Sequence, residues 1–366
     1  MVSIVGQLRI SRARFLWLAS ILFILAILWS WPYSEAESKP PQIMLPAQLE
    51  WVGALHSAAD VTPKPGFFKK WVKKIVGLDD RKQSMMMPYG IAVDAQGRIL
   101  VADTRQRVVH VFDPSRQKYK TFHAPDRDPF AAPIAIDTDA DGKIYVSDSV
   151  RARIFVFTPE GKFVRTIGAL GKDESIFKRC TGLAIDKPGG RLYVVDTIAM
   201  NLVVLTLDGK VINRLGKPGD GPLEFNYPTQ ITVAPDGTLW VMDSLNFRVQ
   251  HLDPNGTVIS AFGRLGDAIG EFDKPKGISL DRQGRVYVVE GRNDRVQVYS
   301  PDGTLLFFFG RTGSADGEFF LPTGITVDRE NKIYVADAYN RRVEIFHARP
   351  EGSSNLMPQS GGGGAR

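Results

Sequence analysis

Six apolar runs in this chain end in an acidic residue at nearly constant spacing: Asp103, Asp148, Asp196, Asp243, Glu290 and Asp337. The intervals are 45, 48, 47, 47 and 47 residues, so the 366-residue chain holds one unit copied six times. A unit of this length cannot bury its apolar face alone, and its copies must stack or close into a ring to make a core.

The last copy displays the unit. Residues 322–328, 333–337 and 343–346 are runs rich in Val, Ile, Tyr and Phe, with Gly, Asn and Asp between them. That is how short strands joined by turns read. A fourth run follows in copies two to five, at Phe163–Ile167, Val211–Leu215, Val258–Phe262 and Leu305–Phe309, each closed by a glycine. Six units of four antiparallel strands, with no helical periodicity inside them, predict an all-β fold, a six-bladed β-propeller. Copy six lacks its own fourth strand. Leu49–Leu55 aligns with residues 164–170, and is predicted to supply that strand, close the ring and remove an open edge.

The succession P-x-G-I-x-V-D, Y-V-A-D and N-x-R-V-x-V-F resembles the NHL-repeat family of six-bladed propellers, in its bacterial-type, exported or membrane-anchored form. Copies five and six carry it nearly complete, at Pro275, Gly277, Asn293 and Arg295 and at Pro322, Gly324, Asn340 and Arg342. The resemblance covers residues 49–347. Copy two is read with Pro133 at the glycine position. Cys180 stands for the Pro and Asn201 for the Arg in copy three, and Gln230 and Ala234 replace the Gly and Asp in copy four. In copy one Val108 takes the Arg position, and Glu290 replaces the Asp in copy five.

Outside the repeats, residues 15–31 form an uncharged, predominantly apolar run preceded by Arg9, Arg12 and Arg14 and by no acidic residue. Residues 1–36 therefore read as a signal peptide or a membrane anchor, and the charge bias puts the propeller outside the cytoplasm either way, on the periplasmic side in a Gram-negative cell. A linker at 37–46, the propeller at 47–349 and a glycine-rich disordered tail at 350–366 complete the organisation. Residues 66–76 alternate apolar and lysine pairs at helical spacing, which predicts an amphipathic helix in a loop; the competing reading makes 72–76 the outer strand. The single cysteine excludes an intrachain disulfide, so an exported chain relies on burial and ring closure. Net charge is +6, which permits anionic partners without requiring them.

The repeated acids and arginines read as partners of local turns and of each other, not as a metal or phosphate site. The histidines, His56, His110, His123, His251 and His347, are read onto outer strands or their ends in different blades, with no convergent set for zinc. Cys180 reads as a small buried hydrophobe. No G-x-S-x-G, H-E-x-x-H or C-x-x-C occurs, so no catalytic residue, metal or cofactor is predicted. Binding is expected on the loop face around the central channel, where the copies differ. The residue between Pro and Gly is read as Tyr89, Ala132, Thr181, Thr229, Lys276 and Thr323. Arg105, Arg151, Lys178, Arg179, Lys217 and Arg292 lie on neighbouring loops.

The leading expectation is a monomeric, membrane-tethered, extracytoplasmic binding or scaffold propeller that presents this face to a protein, peptide or glycan. The resemblance also implies an alternative. Related propellers include peptidyl-hydroxyglycine lyases, virginiamycin B lyases and gluconolactonase-like proteins, which suggests a metal-dependent lyase or lactonase with a divalent ion in the channel. Nucleic-acid binding, known for some animal NHL domains, is set against the export signal.

Overall fold

A computed structural model of the chain describes residues 49–63, 84–168 and 176–348. The expected anchor, linker, tail and amphipathic helix all lie outside the described residues.

Six four-stranded antiparallel sheets follow one another along the chain. Blade 1 spans residues 88–122, blade 2 133–167, blade 3 180–215, blade 4 228–262 and blade 5 275–309. Blade 6 takes three strands from 322–348 and its outermost from Leu49–Leu55. That strand pairs antiparallel with Arg342–Ala348, Leu49 opposite Ala348 and Leu55 opposite Val343. The edge is thereby filled by the predicted strand; residues 72–76, the competing candidate, lie outside the described residues.

Each blade packs on two neighbours, so the middle strands are buried on both faces. In Arg191–Asp196, Leu192 and Val194 join the cluster shared with blade 2, while Tyr193 and Val195 join the cluster shared with blade 4. Alternating side chains thus serve alternate interfaces, and the strand reads as one continuous apolar run. The outermost strands differ. Val211–Leu215 is exposed at four positions and buried only at Leu215.

The glycine of the repeat has a steric cause. A Cβ on Gly324 would fall 2.0 Å from the Tyr89 carbonyl oxygen, and one on Gly277 would fall 2.7 Å from the Thr323 carbonyl oxygen. The innermost strands of neighbouring blades approach too closely there for a side chain. Strand register corrects one sequence assignment. Pro133 lies opposite Asp148 as Pro88 lies opposite Asp103 and Pro322 opposite Asp337, so Pro133 holds the Pro position and not the Gly position. Ala135 takes the glycine's place, Ile134 is the residue between, and Ala132 is one step upstream of the strand. The slip arose because Ala135 lacks the glycine signature that marks this step in other copies.

Candidate functional site: the loop face

The six register acids are buried, each 1% exposed or less, and their carboxylates face backwards along the chain. Each accepts hydrogen bonds from backbone amides just ahead of its own blade's first strand. Asp103 Oδ2 accepts from Met86 N at 2.6 Å and Met87 N at 3.1 Å, and Asp196 from Lys178 N at 2.7 Å and Arg179 N at 2.9 Å. Asp148, Asp243, Glu290 and Asp337 do the same for Ala131, Asn226, Asp273 and Phe320. A carboxylate has several lone pairs, and the second oxygen commonly caps the following turn, as Asp103 Oδ1 does for Arg105 N and Gln106 N. The acid is therefore a latch joining two loops of the same face. Burial holds the Glu290 and Asp337 carboxyls above the ordinary range despite these donors.

The repeat arginines serve the same loops. Arg248 and Arg342 pair with Asp243 and Asp337 at 2.9 Å, and their outer nitrogens donate to carbonyls of the upstream loop. Arg153 and Arg295 instead reach Asp128 and the carbonyls of Asp267 and Ala268. Acids and arginines are thus occupied in building the face.

The predicted binding residues separate into two groups. Thr181, Thr229 and Thr323 are tied into the ring. Thr181 Oγ1 lies 2.7 Å from Thr197 Oγ1, which donates to Pro228 O in the next blade at 2.8 Å. Thr229 Oγ1 lies 2.6 Å from Ser244 Oγ, which donates to Pro275 O at 3.1 Å. Thr323 is 3% exposed, with Oγ1 3.3 Å from Pro88 O across the closing interface. Lys276 and Tyr89 are half-buried on innermost strands. Burial, then Lys274, holds the Lys276 ammonium below its usual range, and burial pushes the Tyr89 phenol up.

Arg105 is exposed, Arg151 donates to Pro129 O at 3.1 Å, and Arg292 pairs with Asp273 at 2.8 Å. Lys178 and Arg179 are exposed beside the Asp196 latch, whereas Lys217 pairs with Glu224 at 3.1 Å.

Sequence reasoning passed over the most distinctive feature of this face. The residue two places after each register acid reads Arg105, Val150, Ile198, Leu245, Arg292 and Tyr339, and Val150, Ile198, Leu245 and Tyr339 are 40–57% exposed. Tyr339 packs edge-on against exposed Phe320 at 5.3 Å, and Tyr227 and Met86 are also exposed on loops ahead of first strands. The signal was available in the register: a position that is always a turn yet carries large apolar residues in four of six copies.

His110, His251 and His347 correct the reading of the histidines as outer-strand residues, since all three lie on third strands. That strand pattern tolerates an imidazole because the fourth strand or a neighbouring ring covers it. His110 Nδ1 meets Tyr119 Oη at 2.7 Å, and His251 stacks on Trp240 at 3.9 Å. Cys180 is buried as expected, its Sγ near Asp148 O and Arg153 O, and burial drives the thiol pKa far up. Among the described residues no three His, Cys, Asp or Glu side chains gather as a metal site.

Comparison with known proteins agrees with this architecture. A family profile described as a six-bladed β-propeller matches residues 134–189 and 173–257, and an NHL-repeat profile matches residues 321–346. No curated protein matches the sequence. Among solved structures, a protein of unknown function from Bacteroides thetaiotaomicron is 18% identical, with a TM-score of 0.58 over 82% of this chain and 75% of its own. An auxiliary nutrient binding protein from the same organism is 14% identical, with a TM-score of 0.56 over 72% of this chain and 69% of its own. Virginiamycin B lyase from Staphylococcus aureus is 17% identical, with a TM-score of 0.53 over 72% of this chain and 95% of its own. At these identities the likeness is one of fold.

Proposed function

We propose that this six-bladed propeller of NHL-type repeats is a membrane-tethered, extracytoplasmic binding or scaffold module that presents its loop face to a macromolecular partner. One observation carries the reading: Val150, Ile198, Leu245 and Tyr339 stand exposed at a single register position, above carboxylates already engaged by backbone amides. Large apolar groups gathered on one face of a water-exposed domain favour association, and aromatic anchors dominate interface energetics.

The tether rests on the apolar run at 15–31 and the arginines before it. Among the described residues no helix is long and apolar enough to cross a membrane. Resistance of the full chain to alkaline extraction, with protease access only from the extracytoplasmic side, tests this part. Release by carbonate would refute the anchor.

The binding part is tested against its enzymatic rival. The full chain, purified in detergent, is expected to turn over neither lactones nor virginiamycin-type cyclic depsipeptides. Turnover accompanied by a stoichiometric divalent ion would overturn the reading.

A further inference from the structure

The rim of the loop face is made from two positions of every repeat: the pair of residues ahead of each first strand and the turn after each second strand. Backbone bonds from Thr104 N to Met87 O, Thr197 N to Arg179 O, Leu245 N to Asn226 O and Tyr339 N to Phe320 O hold the two side by side. Arg105, Arg107, Lys178, Arg179, Lys274 and Arg341 lie at these positions exposed. None has a carboxylate partner among the described residues.

The carboxylates at the same positions are all engaged. The register acids are latched, and Asp273 is paired with Arg292 at 2.8 Å. Asp294 is buried and accepts from Leu321 N and Thr312 Oγ1, each at 2.7 Å. Among the described residues, the rim is therefore an apolar ring interleaved with cations that no carboxylate pairs. The cations are confined to the rim, since elsewhere on the same loops Arg264 and Arg311 pair with Glu271 and Glu318 and Asp126, Asp220, Asp267 and Asp316 stand exposed.

We infer that the loop face docks an acidic peptide segment whose carboxylates alternate with aromatic or aliphatic side chains. This rests on the binding reading of the same face. Apolar contact supplies the affinity, while opposite charge steers approach and sets register. An anionic lipid surface shares part of this chemistry, but apolar side chains and cations recurring at fixed register positions match the alternating side chains of a peptide segment.

A random peptide library displayed on phage, panned on the immobilised full chain in detergent, tests the inference. Enriched peptides are expected to combine Asp or Glu with Phe, Tyr, Leu or Ile. A synthetic selected peptide should lose about tenfold in affinity with the Arg105→Glu, Arg179→Glu pair and similarly with the Leu245→Ser, Tyr339→Ser pair, while far-UV spectra and melting stay unchanged. No enrichment, enrichment without acidic bias, or acidic peptides that bind both variants equally would overturn it. Rim-dependent sedimentation with phosphatidylglycerol vesicles, or rim-dependent binding to a glycan array in place of peptide, would overturn the peptide and leave the binding reading standing. Metal-dependent turnover would remove both.

Discussion

Trp51 Nε1 donates to Glu344 Oε2 at 2.5 Å, joining residues 293 positions apart across the seam that closes the ring. Glu344 is buried on the third strand of blade 6, with Arg342 Nη2 2.9 Å from its other oxygen. The bond exists only because Leu49–Leu55 supplies the outermost strand of that blade.

Trp51→Phe keeps most of the packing and removes the donor, leaving a buried carboxylate oxygen without its hydrogen bond. A loss of about 1–3 kcal/mol is expected in urea denaturation, with an unchanged m-value. An unaffected midpoint would show that the seam does not depend on this bond.

Glu344 also makes stability depend on pH. Burial raises its carboxyl pKa to about 7, against the lowering effects of Trp51 and Arg342. A raised acid pKa means that the folded state holds the proton longer than the unfolded chain. Its contribution is full below about pH 4.5 and is lost as pH rises towards about 7, by about 3 kcal/mol as an order of magnitude. The difference between wild type and Glu344→Gln, measured by denaturation from pH 4 to 8, should therefore shift in favour of the variant as pH rises. Gln occupies the equivalent position at 250 and 297, where its amide donates to Glu224 O and Glu271 O.

Asp196→Ala strips three amides, Lys178 N, Arg179 N and Ala199 N, of their acceptor. Charge-assisted bonds of this kind contribute about 1.5–3 kcal/mol each to a buried site, so thermal melting should fall by several degrees. Amide exchange at Lys178 and Arg179 should rise before exchange in the core. Equal exchange in the variant would show that the latch is not what orders the loop.

Gly324→Ala should be far more harmful than its size suggests. The added Cβ would meet the Tyr89 carbonyl at 2.0 Å, and backbone has to move between blades 6 and 1. A cost of about 3 kcal/mol or failure to express in soluble form is expected. A melt within a degree of wild type would place the constraint elsewhere.

Cys180 is the only thiol in the chain, buried and with its pKa pushed up by burial and then by Asp148 and Asp196. Iodoacetamide should not label it in the native protein at neutral pH and should label it fully in denaturant. Rapid native labelling would contradict the packed position described.

The parts of this fold that were legible in the sequence are those that repeat. Six acids at nearly equal intervals, strand-length apolar runs and the surplus strand Leu49–Leu55 announce six blades and their closure. Resolution failed where a copy departs from the pattern. Ala135 at a glycine position displaced Pro133 by one step, and only pairing with Asp148 restored the register. Thr229 and Thr323 looked like channel-mouth polar groups because sequence carries no information on the neighbouring blade's carbonyls that bind or approach their hydroxyls, and Thr181 because it carries none on the contact with Thr197, whose own hydroxyl donates to Pro228 O.

By itself, then, the sequence determined the architecture: local periodicity decides which residues form strands, and six unequal copies of one apolar pattern can share a core only by packing on one another. The tertiary structure decided which side chains are spent on that architecture and which are left over. Burial and hydrogen bonding are properties of neighbours distant in the chain. They assign the register acids to loop latches, Glu344 to the closing seam, and the ring of Val150, Ile198, Leu245 and Tyr339 to solvent, where a partner can reach it.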